Sequence, residues 1–575
     1  MKILNKKLLV LLFLGMGMAC NNFDLNLQDN PNAITPDKAS LNDLYNSIQL
    51  EFGSVYLDAE HEAGAAARMY MRVAFTYRAA TPANSGAMNA LWSDAYSGLF
   101  PDIDALMGLA QGKGFDIHVG TAKIMKAYTL MVLVDIFGDV PLTQAGQGSD
   151  VISPAVDSGS DVYNAAIGLL DEGITDLTGT TAAKPTFDNF YNGDPDKWIR
   201  FAKTLKYRAA INMNDATTAD ALYADIINTN NGDDFRIQFG SQRLNPDSRD
   251  PYYANHYESG DGDYLSNYYM WLLRAEKQDL SGNSFKDPRL RYYFYRKVDD
   301  AVNQDQTTYS CHFSALPDQA FQPAVFAAVD PRLPYCVASA DGYSGRDHLN
   351  GEGIPPDGPI RTSYGLYPFG GDFDDDSFKD TRQSGTTGGL GAGIAPIFMA
   401  SFGDLMQAEA ILRLSATGGG GDARALLKSG MEESLDKVES FEDLVSSKMN
   451  TSVTLKSGAS GTIKDLFGMS PASKASYVTK VLAKYDAATS NTEKLDIVVK
   501  EMYIAAWGNG LEAYNLYRRT GMPSNLEPAL EPPGPFPLSF FYPSNSVTRN
   551  ASIKQKDEMN VPVFWQDGSV SSGLY

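Results

Sequence analysis

The sequence predicts a mainly α-helical fold in which helical hairpins pack on an irregular, loop-rich region. Apolar residues recur with the 3.6-residue period of a helix in two stretches, about 39–230 and 396–520. Between them, in residues 231–395, glycine, proline, aspartate and aromatic residues are concentrated, which is typical of ordered functional loops rather than of a disordered linker. We therefore expect one domain over residues 39–575, with an irregular C-terminal tail over about 521–575.

The N-terminus has the features of an export signal, residues 1–19, that ends just before Cys20. Lysines precede a short apolar core that cannot span a bilayer as a folded anchor. A cysteine directly after the cut is the acceptor for diacylglycerol in bacterial lipoproteins, although Gly17 stands where the usual motif has leucine. An ordinary signal peptide with a coincidental cysteine is the alternative. Residues 20–38 are polar and are predicted to form a flexible tether.

The first helical stretch contains one segment that is apolar on nearly every side. In "TAKIMKAYTLMVLVDIFGDVPL", Ile124, Tyr128 and Met131 share a stripe with Asp135, and most of the other positions are apolar or small. This pattern predicts a helix that is buried on most sides and ends at Gly138.

Local start and stop signals delimit further helices. Asp194 followed by Pro195 predicts an N-cap and the first helical position. Downstream, "FMASFGDLMQAEAILRLSATGGGGDARALLKSGMEESLDKV" predicts two helices joined by a glycine turn, a hairpin of tetratricopeptide size. A last helix is expected to end at Gly521, with Arg518 and Arg519 near its negative end.

Composition restricts the function classes. The chain has 48 Lys and Arg against 70 Asp and Glu, a formal net charge of −22. Such a surface repels a phosphate backbone, so we expect no nucleic-acid partner. After the signal, no run of 18 apolar residues occurs, so a lipid on Cys20 would be the only membrane link.

The other two cysteines, Cys311 and Cys336, lie 25 positions apart in the loop-rich region. In an oxidising compartment they could form a disulfide. Spacing alone does not distinguish a disulfide from two free thiols, so both alternatives stay open.

Ten segments in chain order resemble the SusD/RagB family, the surface nutrient-binding lipoproteins of Bacteroidetes, and especially its starch-binding, outer-membrane-associating branch. Besides the lipidated Cys20, the segments are "DNPNAITPDKAS", "LWSDAYSGLFPDIDAL", "VDIFGDVPLTQA", "SPAVDSGSDVYNAAIGLLDEGI", "DPDKWIRFAKTLKYRAAINM", "DPRLRYYF", "GYSGRDHLNGEGIPPDG", "MQAEAILRLSATGG…ARALLKSGMEESL" and "AWGNGLEAYNLYRRTGMP". Each segment alone is weakly specific, but the ordered set runs over nearly the whole mature chain.

The resemblance implies a SusD-like fold, in which four tetratricopeptide-type hairpins pack on an irregular region that carries the ligand. It also implies a partner, a SusC-like TonB-dependent transporter in the outer membrane, to which a glycan or peptide ligand is delivered. The lipid on Cys20 would then anchor the protein to the outer membrane, facing outward.

Candidate ligand-binding residues lie in "GYSGRDHLNGEGIPPDGPIRTSYGLYPFGG" and at one tryptophan upstream. Sugar rings stack their C–H faces on aromatic side chains, and their hydroxyls bind polar groups. The candidates for ligand contact are Trp271, Tyr343, Arg361, Tyr364 and Tyr367. The polar residues expected instead to pin the long loop are Arg346, Asp347, His348 and Asp357.

The acidic run "GGDFDDD" admits two interpretations. Its carboxylates are Asp372, Asp374, Asp375 and Asp376. Hard cations such as calcium prefer clustered carboxylate oxygens, but the spacing of an EF-hand is missing and acidic runs are usually solvated. We expect no cofactor, with calcium as the alternative.

We predict a binding protein without enzymatic activity that captures a nutrient, an oligosaccharide in preference to a peptide. Neither a zinc-protease motif nor a nucleophile elbow occurs in the sequence. A polysaccharide-degrading lipoprotein with a pair of catalytic carboxylates is one alternative. A transporter lid that binds peptide, or no ligand of its own, is another.

Overall fold

The computed structural model describes residues 40–71, 82–258, 264–299, 322–335, 341–349, 361–379, 385–417, 420–529, 536–566 and 570. Four residues singled out in the sequence lie outside the described residues: Cys20, Cys311, Cys336 and Asp357. Lipid attachment at Cys20, the disulfide between Cys311 and Cys336, and the role of Asp357 in pinning the long loop therefore stay predictions.

Ten α-helices of eleven or more residues occur in the described part of the chain. They are α1 (Leu41–Ala66), α2 (Phe100–Ala110), α3 (Asp116–Phe137), α4 (Gly159–Leu177), α5 (Pro195–Asn212), α6 (Ala400–Leu414), α7 (Ala423–Glu439), α8 (Pro471–Ala487), α9 (Asn491–Ala505) and α10 (Gly510–Thr520). The mainly α-helical fold predicted from the sequence is confirmed.

Shorter helical segments fill much of the remaining chain. The short α-helices are Asn89–Ser93, Ala216–Leu222, Pro251–Tyr257, Asn267–Trp271, Leu290–Tyr293, Ala324–Val329, Ser446–Met449, Ile463–Phe467 and Ser544–Arg549. Turns of 3-10 helix span Pro82–Met88, Gly148–Asp150, Tyr223–Asp225 and Ser440–Val445, and π-helical turns span Asp94–Leu99 and Leu272–Glu276.

Strands are short and pair only in twos within the described residues. They are β1 (Tyr70–Met71), β2 (Phe235–Gln238), β3 (Tyr264–Leu265), β4 (Phe294–Tyr295), β5 (Ser363–Tyr364), β6 (Ile394–Phe398), β7 (Ser452–Thr454) and β8 (Ser460–Thr462). The antiparallel pairs are β1 with β3, β2 with β6, β4 with β5, and β7 with β8. Three of these pairs join segments that are distant in sequence: β1 with β3 connects the end of α1 to the loop-rich region, β2 with β6 connects the two ends of that region, and β4 with β5 connects two segments within it.

Consecutive helices are neighbours, as expected of helical hairpins. Helix α3 packs against α4, and α4 packs against α5; helices α6 to α10 likewise contact their neighbours in the chain, and α6 also contacts α9. The two helical halves meet where α1 packs on α10. At this crossing, a Cβ on Gly510 would lie 2.2 Å from the carbonyl oxygen of Glu60, so only glycine allows this close approach.

The most apolar helix, α3, lies in the core. Nearly all its side chains are buried, and it ends at Gly138, whose φ is 79°. Among the described residues it is also the one helix long and apolar enough to cross a membrane, but 94% of its most apolar window is buried within the protein. The predicted start of α5 is likewise confirmed, because Asp194 accepts the backbone N–H groups of Asp196 and Lys197.

Candidate functional site

Two of the tyrosines expected to stack on a sugar are core residues. Tyr364 is 0% exposed, and its ring centroid lies 4.3 Å from those of both His256 and Phe369. Tyr367 is 2% exposed and stacks on Tyr293 at 5.7 Å. Because neighbouring rings occupy the faces of both side chains, the expectation that they offer stacking surfaces is corrected.

Trp271 and Arg361 are also buried, which corrects the expectation that they contact ligand. Trp271 is 5% exposed, and the guanidinium carbon of Arg332 lies 5.8 Å from its ring centroid. The guanidinium of Arg361 lies 4.3 Å from the ring centroid of Tyr264, and that of Arg346 lies 4.1 Å from the same ring. Both arginines therefore pack on a buried tyrosine in this structure.

Residues 346–348 connect the loop-rich region to other segments. Asn267 donates a hydrogen bond of 2.8 Å from its side-chain amide to Asp347, and the backbone N–H of His348 donates to Glu527 at 3.3 Å. The side chains of Arg346, Asp347 and His348 are all buried. These contacts hold the segment in place and leave little of it for a ligand.

Basic side chains occupy the acidic run. The ion pairs are Asp372 and Asp375 with Lys448, Asp374 with Arg296, and Asp376 with Arg291. In the part of the chain that the structure describes, no group of three or more His, Cys, Asp or Glu side chains is arranged to hold a metal ion. The ion pairs argue against the calcium alternative, because a cation would have to displace them.

A cleft between the loop-rich region and helices α8 and α9 is the strongest candidate for a ligand site. It has two chambers of about 400 and 170 Å³, and Phe285 lines both of them. We call it the Phe285 cleft. Of the predicted ligand residues, Tyr343 lines it, but Tyr343 is 4% exposed and the guanidinium carbon of Arg296 lies 4.9 Å from its ring centroid. The expectation that Tyr343 offers an open stacking face is therefore corrected as well. The other described candidates, Trp271, Arg361, Tyr364 and Tyr367, are not among its lining residues.

One face of helix α8 forms a wall of both chambers. The lining residues of α8 are Ser473, Ser476, Tyr477, Lys480, Val481 and Lys484. They follow the i, i+3, i+4 spacing that places side chains on one helical stripe. From Ser473 to Lys484 the stripe is about 16 Å long at 1.5 Å per residue, which is enough for a short oligosaccharide.

Two half-buried aromatic rings, Phe285 and Phe467, line the main chamber. The guanidinium carbon of Arg291 lies 4.7 Å from the ring centroid of Phe467, on one face of that ring. Phe467 ends the short helix Ile463–Phe467, whose start is held by a capping box between Thr462 and Asp465. Phe285 ends a tight loop, because its backbone N–H donates to the carbonyl of Lys277 at 2.9 Å. Such rings, bordered by serine hydroxyls and amines, suit the apolar faces and hydroxyls of sugars.

The floor of the cleft is a buried ion-pair network. Arg289 donates to Asp287 at 2.7 Å and to Glu501 at 2.9 Å, and the hydroxyl of Tyr477 donates to both carboxylates. All four side chains are at most 2% exposed. Because every member is paired, the network makes a rigid base rather than a reactive one.

The carboxylates of the floor are unsuited to general-acid catalysis. Burial would raise the pKa values of the Asp287 and Glu276 carboxyls, but Arg289 in the first case and Lys500 in the second hold them below their ordinary values. A glycosidase acid needs the opposite, a raised pKa. Asp287 and Glu276 therefore do not fit the role of a glycosidase acid.

Sequence reasoning missed most of the cleft, since its walls come from distant segments. Phe285 precedes the "DPRLRYYF" motif, whereas Phe467 and Lys480 lie about 180 to 195 positions later. The available signal was the helical stripe of α8, which carries the lysines Lys480 and Lys484 on one face. Periodicity shows that such a face exists, but it does not show what packs opposite.

Two family models match the chain and define its class. Residues 31–328 match the SusD-like family described as starch-binding and associating with the outer membrane, and residues 394–534 match the model described as SusD and RagB outer membrane lipoprotein. These descriptions define a class of carbohydrate-binding, nutrient-uptake proteins that associate with the outer membrane. The chain belongs to the SusD/RagB family.

Solved structures share the fold. A SusD/RagB family protein from Bacteroides thetaiotaomicron is 20% identical, with a TM-score of 0.61 over 93% of this chain and 100% of that one. A chitin-binding SusD homologue from Flavobacterium johnsoniae is 17% identical, with a TM-score of 0.58 over 91% and 98%. A SusD homologue from Bacteroides fragilis is 15% identical, with a TM-score of 0.56 over 92% and 99%. Among curated proteins, none matches this chain.

Proposed function

We propose that this protein binds an oligosaccharide in the Phe285 cleft, without enzymatic activity, and delivers it to a SusC-like TonB-dependent transporter. The observation that carries the proposal is the pair of half-buried rings, Phe285 and Phe467, lining one chamber together with the hydroxyls of Ser473 and Ser476. Rings supply stacking area and hydroxyls supply hydrogen bonds, which together recognise sugars. The relative that binds chitin supports a saccharide ligand over a peptide.

The same proposal includes a lipid on Cys20 that holds the protein on the outer face of the outer membrane. The signal-like residues 1–19 and the family description as an outer membrane lipoprotein support it. Metabolic labelling with an alkyne fatty acid is expected to label the wild-type protein and not Cys20→Ser. Protease treatment of intact cells is expected to degrade the labelled protein; survival of the protein in intact cells would contradict the outward orientation.

Binding is tested by titration calorimetry of the mature protein with a panel of neutral and charged oligosaccharides. Phe285→Ala and Phe467→Ala are each expected to weaken binding roughly fivefold, since a stacked ring contributes about 1 kcal/mol. Phe187→Ala is the matched control, because Phe187 is 57% exposed and does not line the cleft. Unchanged affinity in both cleft variants would exclude this cleft as the site, and sugar products after incubation would overturn the non-enzymatic role.

The transporter partner is tested separately. Affinity-tagged protein solubilised from outer membranes is expected to co-purify with a TonB-dependent barrel. Co-purification without any ligand in the titrations would favour the lid alternative, in which the protein contacts the transporter and binds nothing itself.

A further inference from the structure

We propose that the Phe285 cleft selects anionic saccharides, whose carboxylate or sulfate groups bind the ammonium groups of Lys480 and Lys484. This inference rests on the proposed function, because it names the class of saccharide that the same cleft takes. The observation is a pair of lysines on one stripe of helix α8, Lys480 and Lys484, that line the cleft of an acidic protein.

The charge of the lining is opposite to that of the whole chain. The chain carries 48 basic and 70 acidic residues. Among the described residues, the basic ones that line the two chambers are Lys277, Lys286, Arg291, Arg296, Arg332, Lys480, Lys484 and Lys500, and the acidic ones are Glu276, Asp287 and Glu501. Carboxylates that do not line the chambers pair with most of these cations, as Asp330 does with Arg332, Asp374 with Arg296 and Asp376 with Arg291. The attraction for anions therefore depends on the lining amines that lack such an ion pair.

Each of the three lining carboxylates already forms an ion pair with a basic side chain of the protein. Arg289 lies under Asp287 and Glu501, and Lys500 donates to Glu276 at 2.8 Å. These groups sit in the floor and do not face the ligand space as free anions. An incoming carboxylate therefore meets little repulsion from them.

The lining arginines are also partly neutralised, so they contribute less. Arg291 pairs with Asp376, and Arg296 pairs with Asp374 at 2.6 Å. Lys286, at the mouth, has a loose ion pair of 3.4 Å with Asp341.

Lys480 and Lys484 differ from these groups, because no carboxylate of the described chain forms an ion pair with either ammonium. The Lys480 ammonium lies 5.0 Å from the ring centroid of Phe285, at the junction of the two chambers. Lys484 follows one turn later on the same stripe of α8, about 6 Å along the helix axis. The Lys480 ammonium lies over one face of the Phe285 ring and interacts electrostatically with the Asp279 carboxylate. The two amines therefore present two positive charges along one wall of the cleft.

The combination of two lysines with two aromatic rings in one cleft favours a charged sugar over other polyanions. A nucleic acid would bring a continuous phosphate backbone against a protein of net charge −22, which repels it. An acidic peptide lacks flat C–H faces to stack on Phe285 and Phe467. A short chain of uronic acids or sulfated sugars supplies both the faces and the charges.

Titration calorimetry of the mature protein tests the inference with four tetrasaccharides and one peptide. The ligands are tetragalacturonate, its fully methyl-esterified form, a sulfated maltotetraose, neutral maltotetraose and tetraglutamate. At least one anionic sugar is expected to bind about tenfold more tightly than its neutral counterpart at low salt, and the difference is expected to shrink at 0.5 M NaCl. The affinity for tetragalacturonate compared with that for sulfated maltotetraose shows whether the cleft prefers carboxylate or sulfate groups.

Two double variants distinguish charge in the cleft from charge on the rest of the surface. Lys480→Ala combined with Lys484→Ala is expected to weaken anionic-sugar binding about tenfold more than it weakens neutral-sugar binding. Lys113→Ala combined with Lys456→Ala removes the same charge from exposed positions that do not line the cleft, and is expected to leave both unchanged.

Three results would overturn the inference. They are equal affinity for the charged and neutral sugars, unchanged affinity of the Lys480/Lys484 double variant, and tetraglutamate binding as tightly as the sugars. Neutral-sugar binding that depends on Phe285 without any gain from charge would overturn this inference and leave the proposed function intact. Absence of any sugar binding would overturn both.

Discussion

Arg519 and Glu409 show how single buried charges hold the helices of this protein together. The guanidinium of Arg519 on α10 donates two hydrogen bonds, of 2.9 and 3.0 Å, to the carboxylate of Glu409 on α6. Both side chains are essentially inaccessible to solvent. Burial would raise the pKa of the Glu409 carboxyl, but Arg519 and Arg413 outweigh it and hold that pKa below its ordinary value.

We expect the stability contribution of Glu409 to depend on pH in a defined direction. A carboxyl whose folded pKa is lowered contributes stability above its unfolded pKa of about 4.3 and loses it as pH falls through the folded pKa. Glu409→Gln is therefore expected to lower the free energy of unfolding by about 3 kcal/mol at pH 7. Urea unfolding between pH 3 and 7 should show the gap to wild type narrowing as pH falls.

The control for this prediction is a surface ion pair with the same charges. Glu432 pairs with Lys428 one turn away on α7, and both side chains are nearly half exposed. Glu432→Gln is expected to change the free energy of unfolding by less than about 0.5 kcal/mol at every pH. A pH-independent gap for Glu409→Gln would refute the linkage argument.

Arg518 and Arg519 illustrate what residue-level sequence reasoning can predict. Their position in the last turn of a helix was predicted correctly, and Gly521 ends that helix with a φ of 69°. Arg518 and Arg519 are nevertheless buried, and their partners come from α6, α10 and the C-terminal tail. Position in the helix depends on local sequence, whereas the partners depend on which distant segments pack there.

At the scale of elements, α6 packs so closely on the loop that contains Ile227 that one position of the helix requires glycine. A Cβ on Gly403 would lie 1.8 Å from the backbone carbonyl oxygen of Ile227, a distance no real contact reaches. In the same loop, Thr229 donates its hydroxyl to Asp404 at 2.7 Å. The clash cannot be relieved by a side-chain rotation, because the opposing atom is backbone.

Gly403→Ala is expected to destabilise the protein by at least about 3 kcal/mol, although alanine ordinarily favours a helix. Gly168→Ala in α4 is the matched variant, since no atom lies within 4 Å of its added Cβ. That change is expected to stabilise the protein by about 0.5–1 kcal/mol. Thermal unfolding of the two variants checks whether Gly403→Ala lowers the stability and Gly168→Ala raises it. A stabilised Gly403→Ala variant would show that α6 can move away from the loop.

The loop-rich region shows what element-scale patterns leave undetermined. Its high content of aromatic residues indicated order, and its described parts do form short helices and two-residue strands. The same aromatic density suggested exposed stacking rings, yet Tyr364 and Tyr367 lie in the core. Composition reports how much aromatic surface exists, but exposure depends on the segments that fold over it.

At the scale of the whole molecule, Asp135 joins five parts of the chain in one buried cluster, and one of its hydrogen-bond donors is the hydroxyl of Tyr163 on α4. From its place on α3, its carboxylate accepts hydrogen bonds from Arg208 at 2.9 Å, from Asn515 at 2.8 Å and from the indole of Trp565 at 3.1 Å. These donors lie on α5, α10 and the C-terminal tail. The tail is thus part of the core that joins helices from both halves of the chain.

We expect Trp565→Leu to lower the free energy of unfolding of the whole protein by about 2–4 kcal/mol, because it removes a buried ring and one donor to Asp135. Urea denaturation followed by circular dichroism measures the loss. Val561→Ala, at a tail position that is 44% exposed, is the control and is expected to have an effect below about 0.5 kcal/mol. Equal effects of the two changes would mean that the tail is not a structural part of the core.

The sequence by itself determined the helices, their caps and the family, because hydrophobic period, N-cap residues and terminal glycines act within a few positions of one another. It also determined that the chain is acidic. Only the tertiary structure decided where a ligand can bind. Phe285 lines one cleft with Phe467 and Lys480 because two distant segments pack together, and Tyr364 is buried because His256 and Trp507 pack on it. Such contacts join chain segments about 100 to 200 positions apart, which no local pattern encodes.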